Sequence, residues 1–406
     1  MDSQSALDER PKLRPVEAFP LVNDEGRMVA VRDPTGLAEA VLTVSEPALY
    51  ILSLLDGTRT LKTVGEDFVT RYGQLVGDDT LIELVSNLER AHLLDGPEFQ
   101  AYVNELVTEY RAAPVRKSVY ASELGSGQEV SDYLSKMLDG APSNQHDGNV
   151  VGLIAPHLDY PRGEQCYVAA YARLLGRAAP TRAVVLGTNH SGHSTSVVAT
   201  GKAFETPLGV TQVDTDFLER LESRCGDLRA DEFDHRREHS VELQLVWLQH
   251  LFGSDAFRIV PFLCPDPCGP TGMKPANGHG VDLRDFAESL AATVQEDDGD
   301  TLVVAGADLS HVGSQFGDSS DLDRDFLASV ERRDRRCLSY LEEGDAEAFV
   351  QAVAEEGNPT RVCSAGCMFV AATVLRDAKP KTLCYHQAFD ERTQICVSCS
   401  AVAYTR

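Results

Sequence analysis

Three stretches of this chain share one pattern: a run of apolar residues that stops at a small polar turn carrying a histidine. They are residues 150–157 (VVGLIAPH), 183–190 (AVVLGTNH) and 301–311 (TLVVAGADLSH). Runs of Val, Leu, Ile and Ala without polar alternation suit strands buried on both faces, the pattern of a parallel sheet covered by helices. Ligands of such sheets gather at the carboxyl ends of the strands. The three histidines fall at those ends. The economical reading is one polar site assembled from several strand ends, and a metal ion is the occupant that several His and Asp side chains suit best.

The surrounding pattern agrees. A fourth strand-like run lies at 258–263, and helical periodicity is read near 165–175, 214–224, 240–252 and 283–294. The alternation predicts an α/β fold, a mostly parallel sheet flanked by helices. The Pro- and Gly-rich stretch 266–280 reads as a long loop able to lie over the site.

At 406 residues the chain exceeds what one core usually supports, so more than one domain is expected. Residues 26–33 (GRMVAVRD) alternate like a half-buried strand, and helical spacing follows at 47–55, 64–72 and 79–94, with Gly96 placed to close a turn. Residues 1–111 are therefore read as a small α+β domain of short helices with a β-wing. Residues 112–149, rich in Ser, Gly, Asp and Pro with one amphipathic helical piece at 130–138, form a linker and entry segment. Residues 150–406 form the α/β domain.

The formal charge of −26 disfavours capture of nucleic acid or of an anionic membrane, both of which need Lys/Arg patches. No apolar run is long enough to span a bilayer, and the N-terminal MDSQSALDERPKLR is charged where a secretory signal has its apolar core, so the expected location is the cytoplasm. The ten cysteines lack the dense spacing of a secreted disulfide scaffold. Cys166, Cys225, Cys337 and Cys384 stand alone and read as core thiols. Cys396 and Cys399 lie in a strand-like segment where a three-residue offset sends them to opposite faces. That pair and Cys264/Cys268 are not read as zinc ligands.

The residues able to carry chemistry are few. His157 follows an apolar strand and Pro156, with Asp159 and Arg162 close behind. His190 lies in LGTNHSGH between two glycines, and His193 is three residues on, read as its neighbour. In DHRREHSVELQ, Ser240 is a candidate helix cap, and His239 and Glu242 share a helix face. Asp308 and His311 pair in GADLSHVG, an arrangement that suits metal binding or a general base held in one tautomer. Cys363 and Cys367 (RVCSAGC) precede an apolar helical run, where the positive end of the helix dipole favours a thiolate.

The ordered set IAPH, LGTNHSG, EHSVELQ, GADLSH and VCSAGC resembles the MEMO family, known in bacteria as component B of the AmmeMemoRadiSam system and similar in fold to the class III extradiol dioxygenases. The resemblance covers roughly 115–406. It implies that His157, His190 and Cys363 are metal ligands, with Cys367 or a carboxylate as the competitor for the third position. It also implies that Asp308 and His311 lie beside the metal, His311 as acid/base. Leu158 and Asp159 depart from the family's Ala-Gly, and Ser191 stands where other members carry a second histidine. The first hundred residues, from RPVEAFPLV to LERAHLLDGPEF, look like a PqqD-like winged-helix domain, a fold that presents a peptide or partner-protein site to a modifying enzyme.

Two functional readings follow. In one, iron, or alternatively copper and after it zinc, sits in a His/His/Cys site and serves redox or oxygen chemistry on a small molecule, with His311, Asp308 and Glu242 as acid/base candidates and His239, Asp159 and His193 around the ligands. In the other, the chain is a non-catalytic accessory protein that recruits a peptide or a radical-SAM partner through its first domain. The sequence leaves turnover itself open.

Overall fold

A computed structural model of the chain describes residues 3–23, 26–141, 148–190, 192, 194–318 and 321–406. The chain folds as two compact units, Met1–Ala112 and Ala113–Arg406.

The first unit opens with the short helix Ser3–Leu7, followed by an antiparallel sheet of β1 (Glu17–Asn23), β2 (Gly26–Arg32) and β3 (Val41–Ser45), in that order. Four helices follow, Glu46–Leu54, Leu61–Tyr72, Asp78–Arg90 and Pro97–Ala112. Ser45 and Thr60 cap the first two through their hydroxyls, and the second closes on Gly73 at φ 67°. Helical spacing brings Leu61, Val64, Phe68, Leu81, Val85 and Leu88 into one core. The sheet precedes these four helices. After them only Leu94 makes a β-bridge, back to Leu13, where the sequence suggested a wing. The last helix escaped the sequence reading because it is mostly polar, burying only Phe99 and Tyr110.

Among the described residues, the second unit carries eleven strands: β4 (Val115–Arg116), β5 (Val150–Ala155), β6 (Arg182–Thr188), β7 (Val198–Ala199), β8 (Ala203–Thr206), β9 (Gly209–Thr211), β10 (Arg258–Cys264), β11 (Thr301–Gly306), β12 (Asp308–Gly313), β13 (Lys379–Asp390) and β14 (Ile395–Thr405). The main sheet runs β12-β14-β5-β11-β6-β10-β7, with β13 also paired to β14. Its centre, β5-β11-β6-β10, is parallel. These are the four apolar runs of the sequence. The flanking strands are antiparallel, so the sheet is mixed around a parallel core. In β6, Val184 and Leu186 pack into one core and Ala183 and Val185 into the other, and every residue of the strand is buried. Each such Val or Leu contributes about 1.5–3 kcal/mol on burial, which is why the central strands tolerate no polar alternation.

The described residues of the segment read as a linker, 113–141 and 148–149, belong to this unit. β4 pairs with β8 in a small second sheet, and the helix Gly127–Leu138, closed by a Ser126/Glu129 capping box, buries Val130, Leu134 and Met137. Cys396 and Cys399 do face opposite cores. All ten cysteines are free thiols, with Cys225 and Cys384 half-buried where full burial was expected. Among the described residues, no helix is long and apolar enough to cross a membrane.

Candidate metal centre

His157 stands two residues beyond β5, His190 two beyond β6, and Asp308 opens β12 just after β11, so three neighbouring parallel strands deliver them to one point. Cys363 arrives from elsewhere. It immediately precedes Ser364, the N-cap of the helix Ala365–Val374, at the end of a turn where Glu356, Asn358 and Arg361 all hold positive φ. Each such residue costs of order 1–3 kcal/mol unless its surroundings fix it. Here Arg361 pairs with Asp318 at 2.7 Å and donates to the His311 carbonyl.

The donor atoms of His157, His190 and Cys363 all lie within 4.8 Å of one another. Cys363 Sγ is 3.5 Å from His157 Nε2, and the two imidazoles meet edge to face at 4.8 Å between centroids. Their other nitrogens are occupied. His157 Nδ1 lies 2.9 Å from the Gly306 carbonyl, which can only accept, so Nδ1 carries the proton. His190 Nδ1 sits 3.1 Å from each oxygen of Glu238. Both rings thus turn Nε2 toward the sulfur, the tautomer that metal-binding histidines take.

Glu238 is the residue the sequence reading overlooked. It is 4 % exposed, N-caps the helix His239–Phe252 by accepting from Ser240 N at 2.9 Å, accepts from His190 N at 3.0 Å, and lies 3.3 Å from His239 Nδ1. Ser240, the expected cap, instead accepts from Thr188 N and donates to its carbonyl, closing the end of β6. The visible signal was an acidic residue beside His239 in EHS. A Glu is an uncommon N-cap, and the hydroxyl two positions on drew the assignment away.

Burial works against charge at every one of these groups, and the partners overcome it at four. Against burial, the Asp308 carboxylate and Cys363 raise His157 to about 9. Glu238 and Cys363 likewise raise His190 well above its ordinary value. Cys363 is driven the other way, well below the usual thiol range, by His157, His190 and His311. His190 and His239 lower Glu238. His239 follows burial and falls to about 4, so it is neutral at physiological pH. The pattern stabilises positive charge between the two Nε2 atoms and the sulfur.

Asp308 and His311 are three apart on a strand, which in regular geometry would send them to opposite faces. The β12–β14 register shifts between them, and both line the same cavity. Their roles differ from the expected pairing. Asp308 holds His157, accepting from its backbone N at 3.1 Å and lying 3.4 Å from Nε2. His311 is held by its own strand, Nδ1 to the Leu309 carbonyl at 3.1 Å, with Phe316 against its ring.

Other expected site residues fall elsewhere. Glu242 does not line the cavity: fully buried, it pairs with Arg116 and accepts from Ser118 Oγ at 2.9 Å and Ala121 N at 2.8 Å. A carboxylate so saturated is a structural tie for the entry segment and not a base. His239 alone of that pair reaches the cavity, its ring 4.9 Å from Tyr120 of the same entry segment. Asp159 sits at the mouth, N-capping the helix Tyr160–Tyr171 and bonded to Arg162 at 2.5 Å. Cys367 is buried in its helix, 3.5 Å from Thr188 Oγ1 and hydrogen-bonded with Cys264, outside the donor cluster. His193 and Ser191 lie outside the described residues. The loop 266–280 does not line the cavity; its first residues border a shallower groove that reaches Cys363 from another side.

The cavity in front of the cluster measures about 990 Å³. Fold and site together define a class: an α/β protein with a His/His/Cys donor set at the carboxyl ends of a parallel sheet core. The family model described as Memo-like protein matches residues 118–405, and the chain belongs to that family. A MEMO1 family protein of Aquifex aeolicus is 25 % identical over 371 residues, covering 91 % of each chain. One from Thermus thermophilus is 30 % identical over 331 residues, 80 % of this chain and 93 % of its own, and one from Methanopyrus kandleri is 30 % identical over 228 residues, 53 % and 76 %. The Aquifex match is longer than the whole second unit and so extends into the first.

Proposed function

We propose that the second unit holds one redox-active transition metal ion, iron or alternatively copper, between His157, His190 and Cys363, and serves oxygen-dependent chemistry on a small molecule with adjacent hydroxyl groups. The observation that carries this reading is the convergence of two tautomer-fixed Nε2 atoms on one sulfur. Two imidazoles and a thiolate suit iron and copper, and a soft sulfur suits neither magnesium nor calcium. When bound, such an ion supplies electron transfer to dioxygen and a Lewis-acidic point for two neighbouring substrate oxygens.

The chain's own residues do the rest. His311 has Nδ1 committed to Leu309, which leaves Nε2 as an acceptor for a hydroxyl proton. Asp308 and Gly306 fix His157, and Glu238 fixes His190. Tyr120 and Phe316 wall the cavity with apolar surface that narrows the access of water. The likeness to extradiol dioxygenases is an analogy of fold, and ring cleavage is one outcome of the test. Iron-loaded protein is expected to consume oxygen with a catechol, and His311→Ala to lose at least 100-fold of that rate while keeping its metal. Oxygen uptake unchanged in His311→Ala would contradict the acid/base assignment, and none in the parent would contradict the activity.

A second reading is that the first unit recruits a peptide or a radical-SAM partner, as a PqqD-like module would. The observation favouring it is that the Aquifex relative shares most of this unit together with the second. It predicts that a chain lacking 1–112 keeps its metal but loses a crosslinked adduct that the full chain forms in host extract. An adduct that persists would contradict it.

A further inference from the structure

Ser364 occupies the N-cap of the helix Ala365–Val374 but does not use its side chain as a cap. An N-cap serine ordinarily spends its hydroxyl on an N–H of its own first turn. Here the hydroxyl, fully buried, turns the other way and meets three groups of the site. The backbone N of Asp308 donates to Ser364 Oγ at 3.1 Å, Thr188 Oγ1 donates to it at 3.0 Å, and Cys363 Sγ lies 3.2 Å away. Asp308 holds His157, Thr188 stands two residues before His190, and Cys363 is the third proposed ligand. One hydroxyl therefore touches the segments that deliver all three.

The direction of these bonds follows from counting protons. A serine hydroxyl has two lone pairs and one hydrogen. The Asp308 N–H can only donate, and a ligating thiolate can only accept. A hydrogen bond to an anion is roughly twice as strong as one between neutral groups, so the Ser364 proton goes to the sulfur. The Thr188 proton then fills the second lone pair of Ser364, with Cys367 Sγ 3.5 Å beyond Thr188 Oγ1. Once His157 and His190 give their Nε2 atoms to an ion, Ser364 is the one hydrogen-bond donor left to the sulfur among the described residues.

We propose that Ser364 is a positioning residue for the metal: its hydroxyl donates to the Cys363 thiolate and raises the reduction potential of the ion. The proposal rests on the metal reading above and adds to it the residue that sets the potential. The sulfur keeps more of its negative charge opposite the reduced ion, so the hydrogen bond is stronger in that state and favours it. Hydrogen bonds to ligand sulfurs are among the means by which proteins tune such potentials.

The test uses the full chain loaded anaerobically with iron(II), or with copper(I) where that is the ion retained, with metal content measured on every sample. In a spectroelectrochemical titration, Ser364→Ala should shift the ratio of affinities for the two oxidation states at least threefold toward the oxidised ion, a fall of about 28 mV for a one-electron couple. Thr188→Val removes a neighbouring hydroxyl of the same buried cluster but leaves Ser364 bonded to the sulfur, so it should give less than half of that shift. A potential unchanged or raised in Ser364→Ala with metal in place would overturn the proposal and leave the metal reading intact. Equal falls in both variants would also overturn it, since they would report a loosened cluster and not a lost donor. A further measurement needs no variant: the metal–sulfur vibration of the oxidised parent should shift between water and deuterium oxide. No shift with metal in place would overturn the proposal, whether or not the variants fold. A chain that takes up neither iron nor copper overturns the metal reading, and this proposal falls with it.

Discussion

Glu238 shows how much one buried side chain can organise. It caps a helix, fixes the tautomer of one proposed ligand and lies against a third imidazole, all from a position 4 % exposed. Glu238→Gln keeps the shape and removes the charge. Metal affinity is expected to weaken about 10–100-fold, the usual cost of losing a partner to a ligating histidine, read by competition with a chelator of known affinity. An unchanged affinity would mean that His190 is not a ligand. Glu242, three residues from His239, tests the opposite assignment. Glu242→Ala strands Arg116 in a buried site, a loss of about 3–5 kcal/mol in denaturant unfolding, and acid/base chemistry should survive in whatever fraction stays folded.

At the level of elements, close backbone approach sets the site. A Cβ on Gly306 would lie 2.4 Å from the Ser240 carbonyl, so the helix His239–Phe252 can pack on β11 only because no side chain intervenes. Gly306→Ala should cost about 1–3 kcal/mol of stability and also weaken metal binding, because the Gly306 carbonyl holds His157. A melting temperature and affinity equal to the parent's would contradict this. In the first unit, Asp33 ties the turn after β2, accepting from Ala38 N at 2.9 Å, from Thr35, and from Arg14 at 3.0 Å. Burial alone would raise its carboxyl, but these donors hold it below the ordinary value. A depressed folded value means that its stabilisation is present above the unfolded value near ~4 and is lost as pH falls through the lower folded one. Asp33→Asn should therefore be less stable than the parent at pH 7 in urea unfolding, with the gap closing below about pH 4. A gap independent of pH would contradict that account.

The elements also explain what the sequence could and could not reveal. The four parallel strands were legible because burial on both faces leaves an unbroken apolar run, and their ends carried His157, His190 and Asp308 into view. The antiparallel strands β12 to β14 were harder. From Thr382 onward β13 is half-buried without alternation, and the Asp308–His311 bulge breaks the period that would have revealed which residues share a face. The entry segment hid its role for a different reason. Its Ser- and Gly-rich composition reads as a linker, yet Arg116 and Tyr120 act through partners more than a hundred residues away, and no local pattern encodes such contacts.

For the whole molecule, the chain divides into two units, each with its own hydrophobic core. Every proposed ligand and every residue lining the cavity lies in the second unit. The net charge of −26 disfavours anionic partners for the chain. All of this depends on one ion at one place. The most direct test is the metal content of the full chain, purified without added metal or a histidine tag, beside the His157→Ala/His190→Ala double variant. The account predicts about one iron or copper per chain in the parent, the stoichiometry of a single donor cluster, and none in the variant. No metal in either, even after anaerobic loading with iron, or equal metal in both, would contradict it.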